Sequence, residues 1–380
     1  MGQALGNVVS GEYQERFTPL VQAFADGLAD GTDAGAALAV VVDGVRVVDV
    51  WGGHRDQDRA QEWTRDTVCP VMSVGKAWLA ACLLMLADAG EIDLGARVAQ
   101  YWPEYSAAGK SGTRVEHVLT HTAGVPFHAE LPAGADWSVH ENLARALEQQ
   151  APLWAPGSTP AYHPMVMGTL VDALVRRVTG QDVAAWFARN VAAPRGIEAG
   201  FGRQGNGPRA LAGPSPLAPR PITDGCPPDP RCGPAPGEPR RTYEMVNSPA
   251  FEQAEWPSIN GFATARGLAD LYAAMIGAGA IEPLLDPATL ARATTPAWAA
   301  CEATGGQYMR MGLGVNLGHT GSYWYGPGDS AFGHVGKGGS TGFGDRGRRV
   351  ALGYVTSSHY EGPGSGPQSQ RLGQVLAGLL

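Results

Sequence analysis

The 380-residue sequence predicts an α/β (α+β) chain in which an antiparallel sheet is formed from both chain ends, flanked by helices, with a mainly helical region inserted between. Three observations predict it. Residues 36–53 form two β-branched runs about Asp43-Gly44, the signature of a hairpin. Helical periodicity dominates the middle of the chain, and strand-like runs return only after residue 310. The sheet unit is expected over 1–75 and 290–380, and the helical unit over 76–289.

In chain order, residues 14–30 carry apolar side chains at helical spacing ahead of the hairpin. Residues 74–89 (VGKAWLAACLLMLADA) are apolar almost all round and rich in helix formers, which describes a buried helix ending near Gly90. Further helices are expected at 114–120, 141–150, 165–179, 182–190 and 264–278, separated by Pro/Gly loops. Residues 202–242 hold Pro and Gly at high density with few large apolar groups, and read as a long surface loop, either a cleft lid or a disordered segment. Strands follow near 311–317, 331–335 and 349–357, then an apolar helix near 369–380. A sheet packed against an inserted helical unit leaves a cleft where the two meet.

Hydrophobic content of 44% is ample for burial, and a net charge of -8 argues against a nucleic-acid partner. No apolar run is long enough for a membrane span, and the N-terminus lacks a basic segment followed by an apolar one, so cytoplasmic residence is expected. Five cysteines suit a reducing compartment. Cys69 and Cys82 read as core residues; Cys226 and Cys232, in the Pro-rich loop without a second ligand pair for zinc, are left as a bridge or free thiols.

The chemistry centres on Ser73 and Lys76, whose three-residue spacing places a nucleophile and a base on one helical face. With 16 serines and 3 lysines, chance alone produces such a pair roughly one time in eight. Context strengthens it. At a helix N-terminus the free amides and the dipole favour a developing oxyanion and disfavour a charged lysine, and a lysine in so apolar a helix is unusual in a chain with 25 arginines. The plainer reading makes Ser73 an N-cap and Lys76 a solvated first-turn residue. Tyr162, in the turn-rich Pro156–Pro164 loop, is a candidate proton shuttle, or else a packed ring. In the segment 332–345, Gly336, Gly338, Gly339 and Gly342 either admit a substrate to the backbone or form a simple turn.

Taken together, Ser73-Val74-Gly75-Lys76, Tyr162-His163-Pro164 and His334-Val335-Gly336 resemble, in order and spacing, the Ser-x-x-Lys, Tyr-x-Asn and Lys-Thr-Gly motifs of the serine β-lactamase and penicillin-binding superfamily. The likeness is strongest to class C β-lactamases and the family VIII carboxylesterases. Trp51-Gly52-Gly53, Leu119-Thr120-His121-Thr122-Ala123-Gly124 and Asn260-Gly261 add to it. The resemblance implies a β-lactamase-like fold, Ser73 as acylated nucleophile, Lys76 and Tyr162 as base pair, and the backbone N–H groups of Ser73 and Lys337 as oxyanion hole. It implies His163, His334, Gly336 and Lys337 as substrate-binding residues, a small-molecule ester as substrate, and no cofactor or metal.

Two departures bear on specificity. Pro164 replaces an asparagine whose amide contacts the acyl side chain in β-lactamases, and His334 replaces a lysine that supports a substrate carboxylate. Both point to neutral acyl esters, whereas Lys337, three positions on, restores a positive charge if it faces the cleft. The alternatives are a β-lactamase, an acyltransferase or amidase using the same site, or a penicillin-binding relative that acylates without turnover. Two weaker constellations are a metal pair from His117 and His121, and a Ser-His-Asp triad using His334 and Asp345; neither a His-Glu-x-x-His nor a Gly-x-Ser-x-Gly motif accompanies them.

Overall fold

Residues 35–42 (GAALAVVV) are apolar at nearly every position because, in the computed structural model, the strand Gly35–Val42 lies inside a ten-stranded sheet covered on both faces. The structure describes residues 2–3, 8–202, 207–220, 225–240, 242–279, 281–318, 330–362 and 364–380. From edge to edge the sheet runs Gly2–Gln3, Val9–Tyr13, Val45–Gly53, Gly35–Val42, Val350–Thr356, Thr341–Asp345, Ala331–Val335, Asn316–Leu317, Tyr308–Met311 and Trp298–Cys301. Every neighbouring pair is antiparallel. Alternate residues of the central strand serve two cores. Ala36, Leu38 and Val40 join Phe17, Leu20 and Phe24 with Leu372 and Leu376 of the Pro367–Leu379 helix. Ala37, Ala39 and Val41 join Leu268, Tyr272 and Met275 of the Ala265–Met275 helix, in the same core as the Gly75–Asp88 helix.

The chain ends meet in the outer layer. Arg371 pairs with Asp26 at 2.7 Å, and Gln368 Nε2 donates to the Ala23 carbonyl at 3.0 Å, which ties the last helix to Thr18–Ala29.

The hairpin turns at Asp43-Gly44, with φ of 47° and 81° at those residues. Helices form at Val115–Leu119, His140–Gln149 and Val166–Thr179 as expected; the one expected over 182–190 is α-helical only to Phe187 and then widens into a π-turn, Ala188–Ala192. Three differences have local causes. The strand expected at 311–317 is two short strands, Tyr308–Met311 and Asn316–Leu317, broken at Gly314, where a Cβ would stand 2.3 Å from that of Ala80. The segment Thr341–Asp345 is a strand although glycines mask it; Cβ atoms at Gly342 and Gly344 would meet Tyr272 at 2.4 Å and Ile276 at 2.8 Å, so the glycines admit the covering helix. Strands Val9–Tyr13 and Trp298–Cys301 carry no periodic signal that marked them.

The described parts of the 202–242 loop are anchored at two places. Gly213–Pro214 pairs with Ser358–His359, and the amides of Cys226 and Asp229 donate to the carbonyls of Gly306 and Ala303. Cys226 is bonded to Cys301, and Cys232 is free, so the open choice for the two loop cysteines resolves differently for each. The partner lies 75 residues away on the edge strand, where no local spacing could reveal it. With a disulfide present, the cysteine count no longer argues for a reducing compartment. No helix among the described residues is long and apolar enough to cross a membrane.

Candidate active site

Ser73 stands in the short 3-10 turn Met72–Val74 that opens the Gly75–Asp88 helix. Val74 occupies the helix cap and Ser73 makes no capping bond, so the N-cap reading is set aside. Met72, just before it, is held at φ 49°, a left-handed conformation that costs about 1–3 kcal/mol for a non-glycine residue. Packing imposes it: the Val71 amide donates to the Gly261 carbonyl at 2.8 Å, and Gly336 lies so close to the Val71 carbonyl that a Cβ would stand 2.1 Å away. The missing side chain at Gly336 therefore lets its strand approach the Ser73 turn.

Lys76, one turn on, is fully buried. Its Nζ lies 2.9 Å from Ser73 Oγ, 2.9 Å from the Pro164 carbonyl and 3.0 Å from the Ser258 carbonyl. Once Nζ gives up a proton, its two N–H donors match the two carbonyls and its lone pair matches the serine hydroxyl. The same Nζ is 5.0 Å from the centroid of the Tyr162 ring. Residues 73, 76 and 162 thus converge.

Tyr162 is half-buried and clamped by its main chain. Its amide donates to Glu302 Oε2 at 2.9 Å, and its carbonyl accepts from Thr304 Oγ1 at 2.8 Å. Glu302, itself buried, also takes the amides of Thr304 (2.8 Å) and Gly305 (2.6 Å). Sequence reasoning missed this carboxylate; its only signal is an acid placed before a Thr-Gly-Gly turn.

Three buried histidines surround the centre. His121, in the left-handed region at φ 56°, sits with its ring 4.8 Å from that of Tyr162 and 5.4 Å from that of His163. His334 lies 6.2 Å from Tyr162, ring to ring. Burial is the main reason all three are neutral: it lowers His334 to about 3 and His163 to about 4, with the Lys76 charge adding to both, and it places His121 well below its ordinary value. His121, expected as half of a metal pair or as part of the 119–124 segment, packs its ring against that of Tyr162. His117 instead accepts the Arg114 amide on Nδ1, and no metal-binding group of His, Cys, Asp or Glu occurs among the described residues.

His163 is fully buried, its Nδ1 bonded to the Ala161 carbonyl and its amide donating to His121 Nδ1, which places it behind the Tyr162 loop. The triad alternative fails as well. His334 Nδ1 bonds the Val335 carbonyl, while Asp345 accepts from Ser330 and Arg348.

On the sheet side, the Lys337 amide donates to no protein acceptor among the described residues, and the Ser73 amide lies in the first turn of a helix, where helix geometry supplies none. The Lys337 ammonium is 2.8 Å from Glu361 Oε2, so its charge is paired.

Residues 20–376 match the Beta-lactamase family, and the chain belongs to it: a hydrolase with the β-lactamase-like fold. Its relatives include the esterase/beta-lactamase LipL of Mycobacterium tuberculosis, 31% identical over 93% of this chain and 84% of that protein. Among solved structures, a family VIII carboxylesterase superposes with a TM-score of 0.87 at 30% identity, covering 98% of this chain and 100% of the other. A penicillin-binding protein homologue from Caulobacter crescentus has a TM-score of 0.82 at 28% identity, over 98% and 100% of the two chains.

Proposed function

We propose that the protein is a serine carboxylesterase that hydrolyses small neutral acyl esters through an acyl-enzyme on Ser73. The observation that carries this reading is the 2.9 Å contact between Lys76 Nζ and Ser73 Oγ, with the remaining lysine donors occupied by carbonyls. Ser73 Oγ attacks the ester carbonyl, and the Lys76/Tyr162 pair takes its proton. The amides of Ser73 and Lys337 hold the tetrahedral oxyanion. The proton then passes to the leaving alcohol, and water enters by the reverse path to release the acid.

Neutral His334, the tethered Pro164 carbonyl and the paired Lys337 support a preference for uncharged acyl groups. The test is Ser73→Ala against a short p-nitrophenyl ester, with intact-protein mass spectrometry of the wild type. Loss of turnover in a folded variant, with a transient adduct on the wild type, is expected; retained turnover overturns the assignment. Nitrocefin assayed in parallel separates this reading from a lactamase.

A further inference from the structure

We infer that Glu361 is a specificity-determining residue whose carboxylate cancels the Lys337 charge beside the turn that bears Ser73 and so turns away substrates that carry a carboxylate on the acyl group. The inference rests on the Ser73 reading above and concerns which acyl groups that site accepts.

Backbone geometry sets the pairing. Gly338 and Tyr360 form an antiparallel bridge in which each amide donates to the other's carbonyl at 3.1 Å. In such a bridge the flanking residues 337 and 361 fall opposite one another, and their side chains meet at 2.8 Å. Because Gly336 packs against Val71, this bridge is joined directly to the turn bearing Ser73.

The charge count beside that turn then matters. Of the three lysines, Lys76 and Lys110 are buried and held by carbonyls, which leaves Lys337 as the lysine able to meet a carboxylate arriving from solvent. The Lys337 and Glu361 side chains are 36% and 47% exposed, so their pair contributes little to stability. Its consequence is felt in the local field, where a single positive charge is replaced by a neutral pair.

Among the described residues, Glu361 has one further basic neighbour. His359 Nε2 is 3.4 Å from the second Glu361 oxygen; burial lowers its pKa against the opposing pull of Glu361, with Lys337 adding to the lowering and Glu244 opposing it. The Tyr243 ring, 6.5 Å from that of His359, lines the same wall without charge.

The experiment compares two esters with one leaving group, p-nitrophenyl acetate and mono-p-nitrophenyl succinate, on the full-length wild type, Glu361→Gln, Glu361→Lys, and Glu361→Gln combined with Lys337→Gln. The readout is the ratio of kcat/KM for the anionic ester to that for the neutral one. Glu361→Gln is expected to raise the ratio about five- to tenfold at low salt, and the gain to shrink at high salt. Glu361→Lys should raise it further, and the double variant should return it toward the wild-type value. A ratio unmoved in both single variants, or a gain that survives loss of the lysine, overturns the inference. Failure of the Ser73 reading looks different, because the wild type would then leave the acetate intact or Ser73→Ala would still cleave it.

Discussion

Lys76 and Lys110 are both buried lysines gripped by main-chain carbonyls, and one contact separates them. Lys110 Nζ donates to the carbonyls of Ala107, Glu148 and Gln150, so all three of its donors have backbone acceptors and it serves to tie loops together. Lys76 has two such carbonyls and, in the third direction, the Ser73 hydroxyl. That contact is what makes it a candidate base. Lys76→Ala and Tyr162→Phe are each expected to lower kcat by about 10²–10⁴-fold, and the double variant by little more than the worse single one, because the two act on one proton. Steady-state kinetics on the three variants checks this; a nearly silent Tyr162→Phe would make the ring scaffold. With His163 lowered to about 4, His334 to about 3 and His121 held well below its ordinary value by burial, an inflection of the rate between about pH 6 and 8 would have to come from other groups.

The elements that build the site are joined by glycine contacts. The strand Ala331–Val335 reaches the Ser73 turn only because Gly336 has no side chain to strike Val71. Gly336→Ala would force a methyl to within 2.1 Å of the Val71 carbonyl and 3.2 Å of Met72 Cβ, displacing the segment that carries the proposed oxyanion donor, the Lys337 amide. A displacement of an ångström in an oxyanion donor lowers the rate by about 10²-fold. The expected result is a loss of that order in kcat/KM with far-UV circular dichroism unchanged; a wild-type rate would mean that the two segments do not act together. Similar reasoning explains what was legible at this scale. Buried helices with unbroken apolar faces, such as Gly75–Asp88, announce themselves, whereas Thr341–Asp345 does not, since its glycines are dictated by the Tyr272 ring on a helix some seventy positions earlier in the chain.

Across the whole molecule, one buried carboxyl links the sheet to its N-terminal segment. Asp33 accepts from Tyr354 Oη and Thr356 Oγ1, each at 2.7 Å, but burial outweighs both bonds and raises its pKa to about 6. The folded state therefore holds the Asp33 proton more tightly than the unfolded chain, whose carboxyl titrates near the ordinary 3.8. This contribution is fully present below about pH 4 and is lost as pH rises toward and through about 6, by about 3 kcal/mol in total. Asp33→Asn should remove it. Urea unfolding of both proteins across that window is expected to show the wild type losing stability relative to the variant as pH increases. A constant difference would place the Asp33 pKa near its ordinary value.

By itself, the sequence determined the order of strands, helices and strands, and it displayed the Ser73-x-x-Lys76 pair, because period and spacing along one helix are local properties. Tyr162 and Lys337 could be nominated only through resemblance, since nothing local ties a loop tyrosine to a serine almost ninety residues earlier. Tertiary structure alone decided that Glu302 clamps the tyrosine loop, that His121 packs on Tyr162, that His163 is buried behind that loop, that Gly336 abuts Val71, and that Glu361 pairs with Lys337. Each of these depends on chain segments brought together across the sheet or the cleft, and the desolvation that keeps the histidines neutral exists only once that packing has excluded water.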